Sequence, residues 1–402
     1  MRLDWPSVPH WWCPRTSFGG WRLAWLNLLS LLPGRFDCWS DTFRMECRGG
    51  GQCRSPAGVD VRPKTGFESG MGVAPGIPGG FGKTFGPLAD ALEQLGWSRG
   101  GDMRAHLYDW RLPPADWVRP GGSFDRLQQE IEAAADEFGR PVVAISLSLG
   151  SLYFGAFSRR HVSAAWAERH LAAHISLSGT WAGSLWAPLA IAAGGQDPES
   201  QGLNPLVAAL QQDTLKSLLH STPVLPFLSP APAVFGKEAL VEDATSGERY
   251  SAARMGDWLQ DSGAQQASRP RFKWNYNAAR QGYACFGVDT VTSITVLPPG
   301  QGGRRYDLHY GDGDGTVPLP SLQVCEDWKA VAAQAGAAVP RNSSNDGSSG
   351  SLSGSKQPAT HVRHYPGMRH TDIIHSGAAF ADVLEALLKL GSAAVESHSS
   401  AA

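Results

Sequence analysis

At 402 residues the chain can bury a substantial core and exceeds a minimal domain, so one large α/β domain with insertions fits as well as two domains do. Its net charge of -2 gives no electrostatic reason to seek nucleic acid or any strongly charged partner. Tryptophan is abundant at 15 residues, and Trp5, Trp11, Trp12, Trp21, Trp25 and Trp39 all precede residue 40, which fits a surface that is apolar on one side and wet on the other, such as a membrane interface.

Met1 to His10 lacks the apolar segment and small-residue cleavage site of a signal peptide. The apolar stretch Trp21 to Leu32 is interrupted by Arg22, Asn27 and Ser30 and stops at Pro33-Gly34, short of the ~20 apolar residues that cross a bilayer. It predicts an amphipathic helix over about 20–32. Residues 56–82, rich in Gly and Pro, read as loop. A helix is predicted over about 85–95 with Gly96 just past it, then a strand from Met103 to Tyr108, then a helix over 123–138 with Leu127, Ile131 and Ala134 on one face. Pro141 to Leu147 is a short β-branched apolar run, the pattern of a strand buried on both faces of a parallel sheet. A helix begins at about Leu149, and His174 to Ser178 is a further strand.

Residues 185–280 are long and weakly patterned and suit a cap insertion. Strands return at about 292–297 and 305–310. Residues 341–356 are a Ser/Gly-rich low-complexity stretch that reads as a mobile loop, and a helix over 377–390 closes the chain. The alternation of strands and helices predicts an α/β fold with a mainly parallel sheet. Four segments follow: a Trp-rich N-terminal lid over 1–55, a first part of the core over 56–184, the cap over 185–280, and a second part of the core over 281–402.

Ser146-Leu-Ser148-Leu-Gly150 falls between a predicted strand and the helix after it, the place of a nucleophile elbow, where residues two before and two after the serine must be small. Gly150 meets that demand and Ser146 is small enough. A plain strand-to-helix turn that happens to hold serines is the alternative. An activated serine needs a base oriented by a carboxylate. Tyr310-Gly-Asp312-Gly-Asp314-Gly-Thr-Val317 follows a predicted strand and offers two carboxylates in a Gly-rich loop, although Asp-Gly is also common in β-turns. The histidine candidates are His361, His364, His370 and His375. His361 and His364 are spaced i, i+3, but Pro366 argues against the helix a metal pair would need, and no Cys/His cluster has zinc spacing. Neither metal nor cofactor is expected. The six cysteines permit disulfides, which would imply an oxidising compartment.

These residues resemble the lecithin:cholesterol acyltransferase family, which includes lysosomal phospholipase A2, phospholipid:diacylglycerol acyltransferase and plant sterol acyltransferases. Phe36-Asp-Cys-Trp-Ser-Asp41 is similar to its Cys-Trp block and Tyr108-Asp-Trp-Arg111 to its Tyr-Asp-Trp-Arg block. Ser146 to Gly150 stands where the family has Gly-His-Ser-x-Gly. Ser176 to Ser184 resembles its Ala-Pro-Trp-Gly-Gly segment, and Gly311 to Val317 and Gly367-Met-Arg-His370 resemble its acid and base loops.

The resemblance implies an α/β-hydrolase-like fold with an N-terminal lid and a cap, Ser148 as nucleophile, Asp314 as acid and His370 as base, with the Leu149 amide as one oxyanion donor. It implies a lid carrying Trp11, Trp12, Trp21 and Trp25, with disulfides Cys13–Cys38 and Cys285–Cys325. Cys47 and Cys53 match nothing in it. The family begins with a strand and a Val-Pro-Gly loop that supplies a second oxyanion amide; nothing similar precedes Trp11, so the first strand is expected to be missing. Ser146-Leu147 in place of Gly-His is a milder departure.

The implied activity is transfer of an acyl chain from a phospholipid, through a seryl acyl-enzyme, to a sterol or diacylglycerol hydroxyl. Transfer to water, which is phospholipase A activity, is the first alternative, and a truncated lipid-binding pseudoenzyme the second. The implied place is a secretory lumen or vacuole, peripherally on a membrane or lipid-particle surface.

Overall fold

The computed structural model describes residues 1–5, 8–16, 20–24, 30, 32, 34–48, 52–71, 84–194, 212–262, 288–300, 303–326 and 361–399. The stretch 341–356 and residues Trp25 and Cys285 lie outside them.

The N-terminal region carries strand β1 (Arg2–Leu3), helix α1 (Phe36–Phe43), the hairpin strands β2 (Glu46–Arg48) and β3 (Gln52–Arg54), and β4 (Val59–Asp60), which pairs with β1. Cys13 and Cys38 form the expected disulfide, which brings residues 25 apart in sequence together. A second disulfide, Cys47–Cys53, joins directly opposed positions of the β2–β3 hairpin and was not foreseen.

The expected helix over 20–32 does not form at residues 20–24, which are irregular. Their backbone groups bond across the chain instead: the Arg22 amide donates to the Met1 carbonyl at 2.8 Å and Trp39 Nε1 to the Ala24 carbonyl at 2.8 Å.

Helices α2 (Gly86–Glu93), α3 (Ser123–Phe138), α4 (Leu149–Arg160) and α5 (Ala164–His170) surround strands β5 (Val142–Leu147) and β6 (Leu171–Leu177). In α3, Phe124, Leu127, Ile131 and Ala135 recur at helical spacing and are buried, and Gly139 ends the helix in the left-handed region with φ 62°. Met103 to Tyr108 is not a strand: Met103 makes a lone bridge to Arg99, while His106 and Tyr108 stack on Tyr153 of α4. Aromatic packing replaces the ladder there.

β5 and β6 pair in parallel from Val142↔Leu171 to Leu147↔Leu177. Side chains alternate across the pair. Val143, Ile145 and Leu147 pack with Leu88 and Leu92 of α2 and with Ala379 and Val383 of the closing helix Gly377–Ser399. Val142 and Ala144 pack with Leu127 and Ile131 of α3 and Phe157 of α4. Helices therefore cover both faces of the pair, as the apolar run of β5 predicted. Even so, Ser146 alone in β5 is buried and the other five residues are half-buried. The second edge of β5 has no partner strand among the described residues; β1 pairs with β4 instead.

Beyond helices α6 (Trp186–Ala193) and α7 (Gln212–His220) come β7 (Ala239–Asp243), β8 (Arg249–Ser251), α8 (Met255–Asp261), β9 (Val288–Gly300), β10 (Gly303–Gly313) and α9 (Gly377–Ser399). The strands form a sheet in the order β10-β9-β7-β8, with only β7 and β9 parallel. Val241, Ile294 and Val296 pack there with Leu189 and Ile191 of α6 and Trp258 of α8. The expectation of a mainly parallel sheet is thus corrected: among the described strands, β5·β6 and β7·β9 are parallel and β1·β4, β2·β3, β7·β8 and β9·β10 antiparallel. β2·β3, β7·β8 and β9·β10 are joined by short connections, which favour hairpins, whereas the β5–β6 crossover spends two helices.

Candidate active site

Ser148 stands at the β5–α4 turn with φ 53° and ψ -122°, a conformation that side-chain-bearing residues adopt at a cost. The turn leaves little room: a Cβ on Gly150 would lie 3.6 Å from that of Ser146. It is locked to the next strand, since the Ser148 amide donates to the Leu177 carbonyl at 2.9 Å. The Leu149 amide opens α4, and the first amides of a helix have no intrahelical acceptor, so it is a donor available at the serine.

Asp314 follows directly on the end of β10 and is 0% exposed. One of its oxygens, Oδ1, accepts from the amides of Thr316 at 3.0 Å and Val317 at 2.7 Å. The other, Oδ2, accepts from His370 Nδ1 at 2.7 Å. That bond fixes the tautomer, because an ionised carboxylate can only accept. His370 Nε2 is therefore the acceptor for the Ser148 hydroxyl at 2.9 Å. A further bond at 2.7 Å joins the His370 amide to the Asp314 carbonyl. The acid loop is braced by α6 and its approach: Trp186 Nε1 donates to the Gly315 carbonyl at 3.0 Å and the Ser184 hydroxyl to the Thr316 carbonyl.

The other candidates lie elsewhere. Asp312 is exposed on β10; His361 and His375 are exposed, and His364 Nε2 bonds Glu326 Oε1 at 2.7 Å.

Beneath the elbow is a buried polar cluster that sequence reasoning missed. Ser146 Oγ lies 2.6 Å from His174 Nε2 and 3.1 Å from Ser151 Oγ, and Ser176 donates to Ser151 at 2.7 Å. Burial pushes the His174 imidazole down to about 3, so it is neutral. The Ser146 hydroxyl, at the position where a Gly was the expected residue, thus has partners. A serine and a histidine at inward-facing strand positions were the only signal.

Arg111, 1% exposed, binds both oxygens of Asp109 at 2.9 and 2.6 Å, the Phe43 carbonyl at 2.7 Å and the Ser55 hydroxyl at 3.2 Å. It joins the Tyr108–Arg111 block to the end of α1, the helix that carries Cys38.

The Cys285–Cys325 expectation is corrected. Cys325 is a free thiol, buried in a core with Leu152, Trp181, Val317 and Leu322 where it packs as a small apolar side chain, and burial pushes its pKa up. In the N-terminal segment Trp11 is 86% exposed, Trp12 49% and Trp21 50%, with the Arg62 guanidinium over the Trp21 ring, whereas Trp5 and Trp39 are buried.

The lecithin:cholesterol acyltransferase family profile matches residues 21–269. The chain belongs to that family. The matched span contains Ser148 and ends before Asp314 and His370. Among curated members, the lysosomal phospholipase A and acyltransferase of Homo sapiens is 29% identical over 340 residues, 82% of this chain and 78% of that protein. Its Rattus norvegicus counterpart is 28% identical over 343 residues, with the same coverage of 82% and 78%. The phosphatidylcholine-sterol acyltransferase of Homo sapiens is 28% identical over 353 residues, 82% of this chain and 73% of that protein. Membership of the lecithin:cholesterol acyltransferase family implies an α/β-hydrolase-like fold, and the helices packed on both faces of the β5–β6 pair fit it.

Proposed function

We propose that this chain moves an acyl group from a phospholipid, through an acyl-enzyme on Ser148, to an acceptor hydroxyl. The hydrogen-bonded series Ser148–His370–Asp314 at the end of β5 is the observation that carries the reading. His370 Nε2 takes the Ser148 proton as Oγ attacks the ester carbonyl carbon. The Leu149 amide donates to the developing oxyanion. Asp314 holds the imidazole in its tautomer and stabilises the imidazolium, which then protonates the departing lysophospholipid alkoxide. In the second half His370 deprotonates the acceptor, whose oxygen attacks the acyl carbon and frees Ser148.

A sterol or diacylglycerol hydroxyl as acceptor makes the chain an acyltransferase, and water makes it a phospholipase A. The name of the lysosomal relatives contains both activities and that of the phosphatidylcholine-sterol acyltransferases only transfer, which favours keeping the hydrolytic reading as the second. Residues 11–38, closed at the base by Cys13–Cys38, form a lid that rests on a lipid surface through Trp11, Trp12 and Trp21. No helix among the described residues is long and apolar enough to cross a membrane. The two disulfides support an oxidising compartment, a secretory lumen or vacuole, with peripheral attachment.

The test is acyl transfer from phosphatidylcholine vesicles containing sterol or diacylglycerol, with the wild type and Ser148→Ala. The wild type should form a covalent acyl adduct detectable by mass and react with a fluorophosphonate, and the variant should do neither. An unreactive wild-type serine would leave the pseudoenzyme reading standing in place of this one.

A further inference from the structure

Two non-glycine residues take a positive φ among the described residues, Ser148 at 53° and Ser178 at 46°. They stand at the same end of the two paired parallel strands, and the amide of one bonds the carbonyl just before the other, Ser148 to Leu177 at 2.9 Å. The first is the elbow serine. The second has no role in the mechanism above, is 0% exposed, and bears backbone strain that a glycine would avoid. A glycine is adjacent, but its place is decided by space: a Cβ on Gly179 would fall 2.4 Å from Trp181 Nε1 and 2.6 Å from Ser176 Oγ. The strained position is thus held by a residue with a hydroxyl, and that hydroxyl donates to the His370 carbonyl at 3.1 Å.

We propose that Ser178 is a positioning residue for His370, tying the base to the strand pair that carries the nucleophile. The inference rests on the reading of Ser148, Asp314 and His370 as the reacting series. Around His370 the chain is exposed on both sides, at Arg369 and Thr371. The backbone of His370 itself bonds the acid loop through its amide, 2.7 Å from the Asp314 carbonyl, and the end of β6 through the Ser178 hydroxyl, while Ile373 and Ile374 further along pack on Ile175 and Leu177. The first bond sets the base relative to the acid. The second sets it relative to Ser148, which is bonded to the same strand end. Nε2 must stay within hydrogen-bond reach of Ser148 Oγ, and a misplacement of about 1 Å can cost ~10²-fold in rate.

Ser178→Ala and Ser178→Gly separate positioning from mere support of the fold. Both remove the hydroxyl, but glycine also relieves the positive φ, so the glycine variant should melt above the alanine variant. With p-nitrophenyl butyrate as substrate, both variants should lose kcat by about tenfold, part of the ~10²-fold that a 1 Å error costs, with KM within about twofold. Their fluorophosphonate labelling rates should fall in parallel. A glycine variant with wild-type kcat and labelling rate would overturn the proposal, and it decides alone if the alanine variant does not fold. Ser148→Ala runs beside them. Turnover surviving in it would overturn the reading of the site and this proposal with it, whereas a dead Ser148→Ala beside a fully active Ser178→Gly overturns the positioning role only.

Discussion

His174 Nε2 lies 2.6 Å from Ser146 Oγ, two residues before the elbow serine, and burial keeps that imidazole neutral, with its pKa pushed down to about 3. The unfolded chain protonates the same histidine near pH 6.5. Below that pH the unfolded state binds a proton that the native state excludes. Stability from this site is therefore complete above pH 6.5 and falls toward pH 3, by ~1.4 kcal/mol per pH unit, or about 2 kcal/mol at pH 5. His174→Gln keeps a polar partner for Ser146 and removes the titration. Thermal melts at pH 7 and pH 5 should show a smaller acid-induced drop in the variant than in the wild type; equal drops would place the acid sensitivity elsewhere.

Asp314 receives two backbone amides on Oδ1 and the imidazole on Oδ2, and its side chain is fully buried. Asp314→Asn keeps the size but presents an amide where His370 needs an acceptor, which favours the wrong tautomer. We expect kcat to fall by roughly 10³–10⁴, the range seen in serine triads, with KM little changed. Steady-state kinetics on the folded variant decide it, and a loss under tenfold would remove Asp314 from the mechanism.

Arg111 is buried with its charge paired to Asp109, and it also donates to the Phe43 carbonyl and the Ser55 hydroxyl. Arg111→Ala leaves Asp109 as an uncompensated, largely buried charge and should cost about 3–5 kcal/mol. Arg111→Lys should recover part of it, since an ammonium cannot reproduce the forked contact. Urea unfolding of the three proteins measures this; a loss below 1 kcal/mol for alanine would show that the block is not a structural tie.

The exposed tryptophans predict the opposite balance. Trp11 stands edge-on to Trp12 and buries little surface, whereas Trp12 is half-buried, stacks on the His10 ring and donates from Nε1 to the Gly34 carbonyl at 3.0 Å. Trp11→Ala should weaken co-sedimentation with phosphatidylcholine vesicles and leave the melting temperature within a degree or two, because little burial is lost. Undiminished sedimentation would sink the lipid-surface role of this segment.

What could be read from the chain itself is what neighbours along it decide. Leu127 and Ile131 at helical spacing specify α3, the β-branched run before Ser148 specifies β5, and the short serine at 146 with Gly150 admits a tight elbow. Residue spacing left Asp312 and Asp314 equal and offered four histidines; the resemblance to a family chose among them. The tertiary structure brings Asp314 and His370 together across 56 residues, and His370 and Ser148 across 222. It also pairs Cys47 with Cys53 while burying Cys325 as a thiol, gives Ser146 a histidine partner, and strains Ser178 to reach the His370 carbonyl. Helix periods and turns follow from steric and hydrogen-bonding rules acting over a few residues. Burial, tautomer and strain depend on which distant segments the packed core brings within hydrogen-bond reach of one another, and no local spacing encodes that.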